Sequence, residues 1–180
     1  DALQTLAFEC ISRAINISAS TRLTLLEQLI EASGHRGMVM GQAIDLASVG
    51  QQVDLDHLQK MHRFKTGALI KAAVLMGARA TEQVSPEQLA SLSRYADAIG
   101  LAFQVQDDIL DVIADTQTLG KTQGADQARG KPTYVSLLGL QSAQAKAQAL
   151  HQEALAALEG FDARADALRQ LSAYIIGRSH

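Results

Sequence analysis

Residues 85–114 read SPEQLASLSRYADAIGLAFQVQDDILDVIA, and their spacing decides the fold. Ser85 is an N-cap residue, Pro86 suits the first helical position, and Gln88 at the third can close a capping box with Ser85. A helix to about Ala114 follows. With Asp107 at zero and about 100° per residue, Gly100 falls at roughly 20°, Asp111 at roughly 40°, Gln104 at roughly 60° and Asp108 at roughly 100°. Leu101, Phe103, Val105, Ile109, Leu110, Val112 and Ile113 fill the opposite arc, with Gln106 the one exception. One side of the helix is therefore acidic and the other apolar.

The same periodicity extends along the chain. Helices are predicted over about 1–17, over about 21–47 with Leu23, Leu26, Leu29 and Ile30 on one side, and from the cap Asp54 to Ala78. Others follow from Pro132 to about Leu140, from Ser142 to about Glu159 and from Ala163 to about Gly177. Gly34, Gly37 and Gly41 interrupt the second, which marks a bend, a close helix contact, or a loop beginning at Gly34. Residues 115–131, DTQTLGKTQGADQARGK, lack periodicity and read as a long loop. No stretch alternates with period two for long. The fold class is all-α, an antiparallel helical bundle.

Composition agrees. The 180 residues include 30 Ala and 24 Leu, with 4% aromatic residues and two prolines. Such a chain favours helix over β-sandwich. The single Cys10 rules out a disulfide framework and reads as packing in the first apolar stripe, with Leu3, Leu6, Ala7 and Ala14. A net charge of −3 argues against a broad nucleic-acid surface. No run is long and apolar enough to span a bilayer, and no secretory signal is visible, so a cytoplasmic location is the expectation. The chain starts Asp1-Ala2-Leu3-Gln4 within a helical pattern, which reads as a piece cut from inside a helix.

Four features carry chemistry. Asp107, Asp108 and Asp111 crowd one stretch near a helix end, where they repel one another and oppose the macrodipole. A solvated acidic face is the plain alternative; a hard cation such as Mg²⁺ would offset the cost. Lys65, in HRFKTG (62–67), lies on the stripe of Met61 and Leu69, so it either snorkels outward or meets an acid or anion, with Thr66 beside it. Lys121, Asp126, Arg129 and Lys131 sit in the loop that follows the acidic helix, a composition that suits a polyphosphate as well as an ordinary polar loop. Gln42 and Asp45 are i, i+3 neighbours that can satisfy one another. The five histidines have no metal-ligand spacing.

In this order and spacing, GQAIDL (41–46), HRFKTGALI (62–70), GLAFQVQDDILD (100–111) and the run Gly120-Lys121 to Gly130-Lys131-Pro132-Thr133-Tyr134 resemble the trans-isoprenyl diphosphate synthases. Within them the resemblance is greatest to bacterial farnesyl diphosphate synthases, the geranyltranstransferases. It covers nearly the whole chain and implies a helical bundle of the isoprenoid synthase type around a central cavity, a homodimer, and one domain of which residues 1–180 are the C-terminal part. It implies Mg²⁺-dependent head-to-tail transfer, in which an allylic diphosphate (dimethylallyl or geranyl) is condensed with isopentenyl diphosphate to farnesyl diphosphate. Asp107, Asp108 and Asp111 would be the second aspartate-rich motif and hold the metal. Lys65, Lys121 and Lys131 would hold the allylic diphosphate, Thr66 and Gln104 would line the site near the cation, and Gln42, Asp45, Phe103 and Asp126 follow as weaker counterparts. The family's first aspartate-rich motif and its isopentenyl diphosphate site have no counterpart in the chain, so the 180 residues alone should be inactive. A helical scaffold without chemistry and a terpene cyclase on the same fold stay open beside this reading.

Overall fold

The computed structural model describes residues 2–117 and 132–178. Among the described residues every regular element is helical. Helices α1 (Ala2–Ser12), α2 (Ala19–Ser33) and α3 (Met38–Ala47) come first. Next, α4 (Leu55–His62), a π-helical turn (Arg63–Gly67) and α5 (Ala68–Arg79) follow one another without a break. The long α6 (Pro86–Gln117) is followed by α7 (Tyr134–Leu138), α8 (Leu140–Ala157), a 3₁₀ turn (Ala163–Ala165) and α9 (Asp166–Gly177).

The caps are those the sequence specifies. Ser85 Oγ accepts from the Gln88 amide at 3.2 Å while Gln88 Oε1 accepts from the Ser85 amide at 2.9 Å, a closed capping box. Asp54 accepts from the His57 amide at 2.8 Å. At α7 the start differs: Thr133 and Ser136 cap it reciprocally, so the helix begins at Tyr134 and not at Pro132.

Several boundaries differ from the sequence expectation. The single helix over 21–47 is two. The α2 helix stops at Ser33, and Gly37 turns so tightly that a Cβ there would lie 2.1 Å from the Ala32 carbonyl oxygen. Within α2 the buried stripe is Leu25, Leu29 and Ala32, while Leu23 and Ile30 point outward, because α5 packs on the other of its two apolar stripes. The first helix ends at Ser12, buries none of its residues and leaves Cys10 exposed, against the expected packing role. The helix from Pro132 to Leu140 breaks at Gly139, whose φ of 80° lies in the left-handed region that favours glycine, and α8 starts directly after it. The α6 helix runs on to Gln117, so the acids lie further from its end than expected and the dipole penalty on them is smaller.

The core gathers on α6. Tyr95, Ala96 and Val105 are fully buried there, together with Leu58 of α4, Tyr134 of α7, and Ala143, Ala154 and Leu158 in or after α8. Burying one side chain of the size of Leu58 contributes about 1.5–3 kcal/mol. The α8 helix packs along α6, and both bury small residues (Ala98 and Ala102; Ala147 and Ala157) that let the axes approach. The Tyr95 hydroxyl donates to the Leu168 carbonyl at 2.7 Å and ties α6 to α9. Burial pushes that phenol up to about 12.

Candidate active site

The site is built where the π-helical turn is clamped between two glycines. A Cβ on Gly100 of α6 would lie 3.2 Å from Gly67 Cα, and one on Gly41 of α3 would lie 2.1 Å from the Lys65 amide nitrogen. Backbone therefore meets backbone on both sides of RFKTG. A π-turn adds one residue to a helical turn and is often found at functional sites. Here it presents Lys65 to α3 and Thr66 to α6. The Lys65 ammonium donates to Asp45 Oδ2 at 2.8 Å, with both side chains partly buried. This resolves the register of Lys65: it neither snorkels free nor lies unpaired. Gln42, which the sequence pairs with Asp45, is exposed.

From Thr66 a chain of hydrogen bonds runs along α6. Thr66 Oγ1 donates to Gln104 Oε1 at 3.1 Å, and Gln104 Nε2 donates to Asp107 Oδ2 at 3.1 Å. Each bond fixes the next, so the amide of Gln104 can face only one way. The other oxygen of Asp107 accepts from the guanidinium of Arg178, which follows α9. That guanidinium lies over the Phe103 ring, 4.4 Å from its centre.

The three acids do not share one surface. Asp107 is half-buried on the face of Gly100 and Gln104, and Asp111, one turn further, is exposed. Asp108 is buried, and its Oδ2 accepts from the Tyr134 amide at 2.6 Å. The expectation that all three face one space is corrected for Asp108. A turn of about 100° carries it round to α7, where it anchors the helix start. Tyr134 itself is buried, its ring stacks on His62 at 5.6 Å, and burial, reinforced by the Asp108 charge, pushes its hydroxyl far up. Arg178 and Tyr134 are the contributions that sequence reasoning missed. Arg178 lies 71 residues from Asp107, and no local pattern links them. Lys121, Asp126 and Lys131 fall outside the described residues.

Among the described residues no group of three or more His, Cys, Asp or Glu side chains converges as a ready metal site. The donor chemistry nevertheless fits Mg²⁺. Asp107 and Asp111 are hard oxygen donors one turn apart on one face, and the Asp107 carboxylate is already held by a cation.

The sequence model of the polyprenyl synthetase family matches residues 1–172. The chain belongs to this family. It is 50% identical to the farnesyl diphosphate synthase of Escherichia coli K12, over 99% of this chain and 62% of that one. To the farnesyl diphosphate synthase of Haemophilus influenzae it is 46% identical, over 99% of this chain and 60% of that one. Among solved structures, it is similar to a Helicobacter pylori geranyltransferase complexed with magnesium and isoprenyl diphosphate, with a TM-score of 0.78 at 35% identity, over 98% of this chain and 57% of that one. A Legionella pneumophila geranyltransferase superposes with a TM-score of 0.84 at 31% identity, over 99% of this chain and 58% of that one. The chain thus spans about 60% of the length of these family members. No helix among the described residues is long and apolar enough to cross a membrane.

Proposed function

We propose that the chain carries the allylic-diphosphate side of a Mg²⁺-dependent prenyltransferase that joins dimethylallyl or geranyl diphosphate to isopentenyl diphosphate and makes farnesyl diphosphate. The observation that supports this best is the bonded chain Thr66–Gln104–Asp107, which joins the lysine-bearing π-turn to the acidic face of α6. A cation for a leaving diphosphate and hard donors for a metal are thereby set side by side. The likeness to a geranyltransferase complexed with magnesium and isoprenyl diphosphate supports the same reading.

In this reading Lys65 binds a diphosphate oxygen, and Asp45 holds the ammonium in register until the substrate arrives. Asp107 and Asp111 hold Mg²⁺, which when bound neutralises diphosphate charge and lowers the barrier to its departure. Lys121 and Lys131, in the sequence that follows α6, add positive charge, and Phe103 and Gln42 border the substrate. The allylic C–O bond breaks with its electron pair leaving on diphosphate. The double bond of isopentenyl diphosphate supplies the electrons of the new C–C bond, and a proton is lost. Thr66 and Gln104 direct their oxygens to the place where allylic positive charge develops. Asp108 anchors α7. A homodimer and a cytoplasmic location belong to the same proposal.

The 180 residues contain one aspartate-rich cluster, so carboxylates from outside them must complete the metal site. Orienting two substrates can be worth about 7–11 kcal/mol of barrier, and one side of a site cannot supply it. The test is turnover of geranyl and isopentenyl diphosphates with Mg²⁺ by the full-length protein, its Asp107→Ala variant and the isolated chain. Near-complete loss in the variant and no turnover by the isolated chain are expected. Unimpaired turnover by Asp107→Ala would refute the metal role.

A further inference from the structure

We propose that Arg178 is a built-in counter-ion for Asp107, one that competes with a divalent cation for the carboxylate. The inference rests on the reading of Asp107 as a metal ligand and adds a residue which that reading does not use.

Arg178 lies just beyond α9, and its backbone is extended. Its side chain is only 15% exposed, against 40% for Asp107. One terminal nitrogen serves both Asp107 Oδ1 and, at 3.4 Å, the Phe103 carbonyl. The guanidinium carbon lies over the Phe103 ring, and Gln106 Nε2 donates to the Arg178 carbonyl at 3.4 Å. Its Nε is buried without a partner among the described residues. The arginine is therefore held at both ends, but its hydrogen bonding is incomplete. It is placed to be exchanged as well as to be kept.

The exchange follows from charge. Gln104 engages Asp107 Oδ2 and Arg178 engages Oδ1, so both oxygens of the carboxylate already serve a donor. A guanidinium and a divalent cation at one carboxylate repel each other and share its negative charge. Each must therefore weaken the other, and by the same factor. The pair keeps Asp107 neutralised and in its rotamer while metal is absent.

The test uses the full-length protein and Mn²⁺ as the probe, with free Mn²⁺ counted by electron paramagnetic resonance in the absence of diphosphate. Arg178→Gln should bind the cation about ten-fold more tightly, the lower end for a charged hydrogen bond. Arg178→Lys, which keeps the charge and loses the guanidinium fork, should fall between. Asp107→Asn should weaken binding in either background. If Arg178→Gln binds no more tightly while Asp107→Asn still weakens binding, the counter-ion role fails and the metal role stands. If Asp107→Asn changes nothing, both fail. Should Arg178→Gln not fold, the wild-type protein decides. The guanidinium NMR signal of Arg178, identified by its loss in Arg178→Lys, should shift on saturation with Mg²⁺. A signal that stays in place would overturn the proposal.

Discussion

Gly41 of α3 lies so close to Lys65 that a methyl group on it would sit 2.1 Å from the Lys65 amide nitrogen and 2.4 Å from its Cα. Asp45, one turn on from Gly41, then meets the Lys65 ammonium. The glycine thus sets the depth of the π-turn, and the aspartate sets the direction of its lysine. Gly41→Ala cannot be relieved by a side-chain rotation, because the clash is with backbone. It should cost about 1–3 kcal/mol, the usual range for overpacking, and should raise KM for the allylic diphosphate. Chemical denaturation and steady-state kinetics of the full-length protein check both effects.

Asp45→Asn separates positioning from stability. The ion pair is partly exposed on the lysine side, so its loss should cost no more than about 1 kcal/mol. The unpaired ammonium is no longer held in register, and KM for the allylic diphosphate should rise while the melting temperature hardly moves. A lower melting temperature with unchanged kinetics would make the pair a structural one.

Asp107 and Asp108 are adjacent, but alanine should affect turnover differently at each. Asp108→Ala strands the buried Tyr134 amide, a loss of about 1–3 kcal/mol, and loosens α7. Asp107→Ala leaves the mostly buried Arg178 guanidinium without its carboxylate, a loss of about 1–3 kcal/mol, and it should also stop turnover. Thermal melts and single-turnover assays on the two variants separate the roles. Equal loss of turnover in both would argue against the division.

Much of this was legible in the sequence, for physical reasons. The Ser85-Pro86-Gln88 start and the divided face of α6 are local patterns, and local hydrogen bonding realises them. The inward register of Lys65 implied a partner, but its identity depended on how α3 packs against the π-turn. The glycines mark the break at Gly34–Gly37, a local turn against the end of α2, whereas the contact of Gly41 with Lys65 follows from packing between segments, which a periodicity does not encode. The turn of Asp108 toward Tyr134 could have been drawn from its position roughly 100° away from Asp107. Arg178 could not, since only the docking of α9 on α6 brings it to Asp107.

Acid should unfasten the start of α2 from the turn before α6. Glu82 Oε1 accepts from the Thr21 hydroxyl at 2.5 Å and from the Ser18 amide at 3.0 Å. The Ser18 hydroxyl, then the Thr21 hydroxyl and the Ser18 amide, pull its pKa from 4.5 down to about 2. A depressed folded-state pKa means stability that is present above the unfolded value and lost as pH falls through the folded one. The Glu82 contribution should therefore be whole above pH 4.5 and gone near pH 2. Glu82→Gln keeps an acceptor but removes the charge, so its contribution should not vary across that window. The difference in unfolding free energy between wild type and Glu82→Gln, measured by denaturant at several pH values, should shrink steadily from pH 4.5 downward. A difference that stayed constant with pH would show that the Glu82 carboxylate does not hold Ser18 and Thr21 in its charged form.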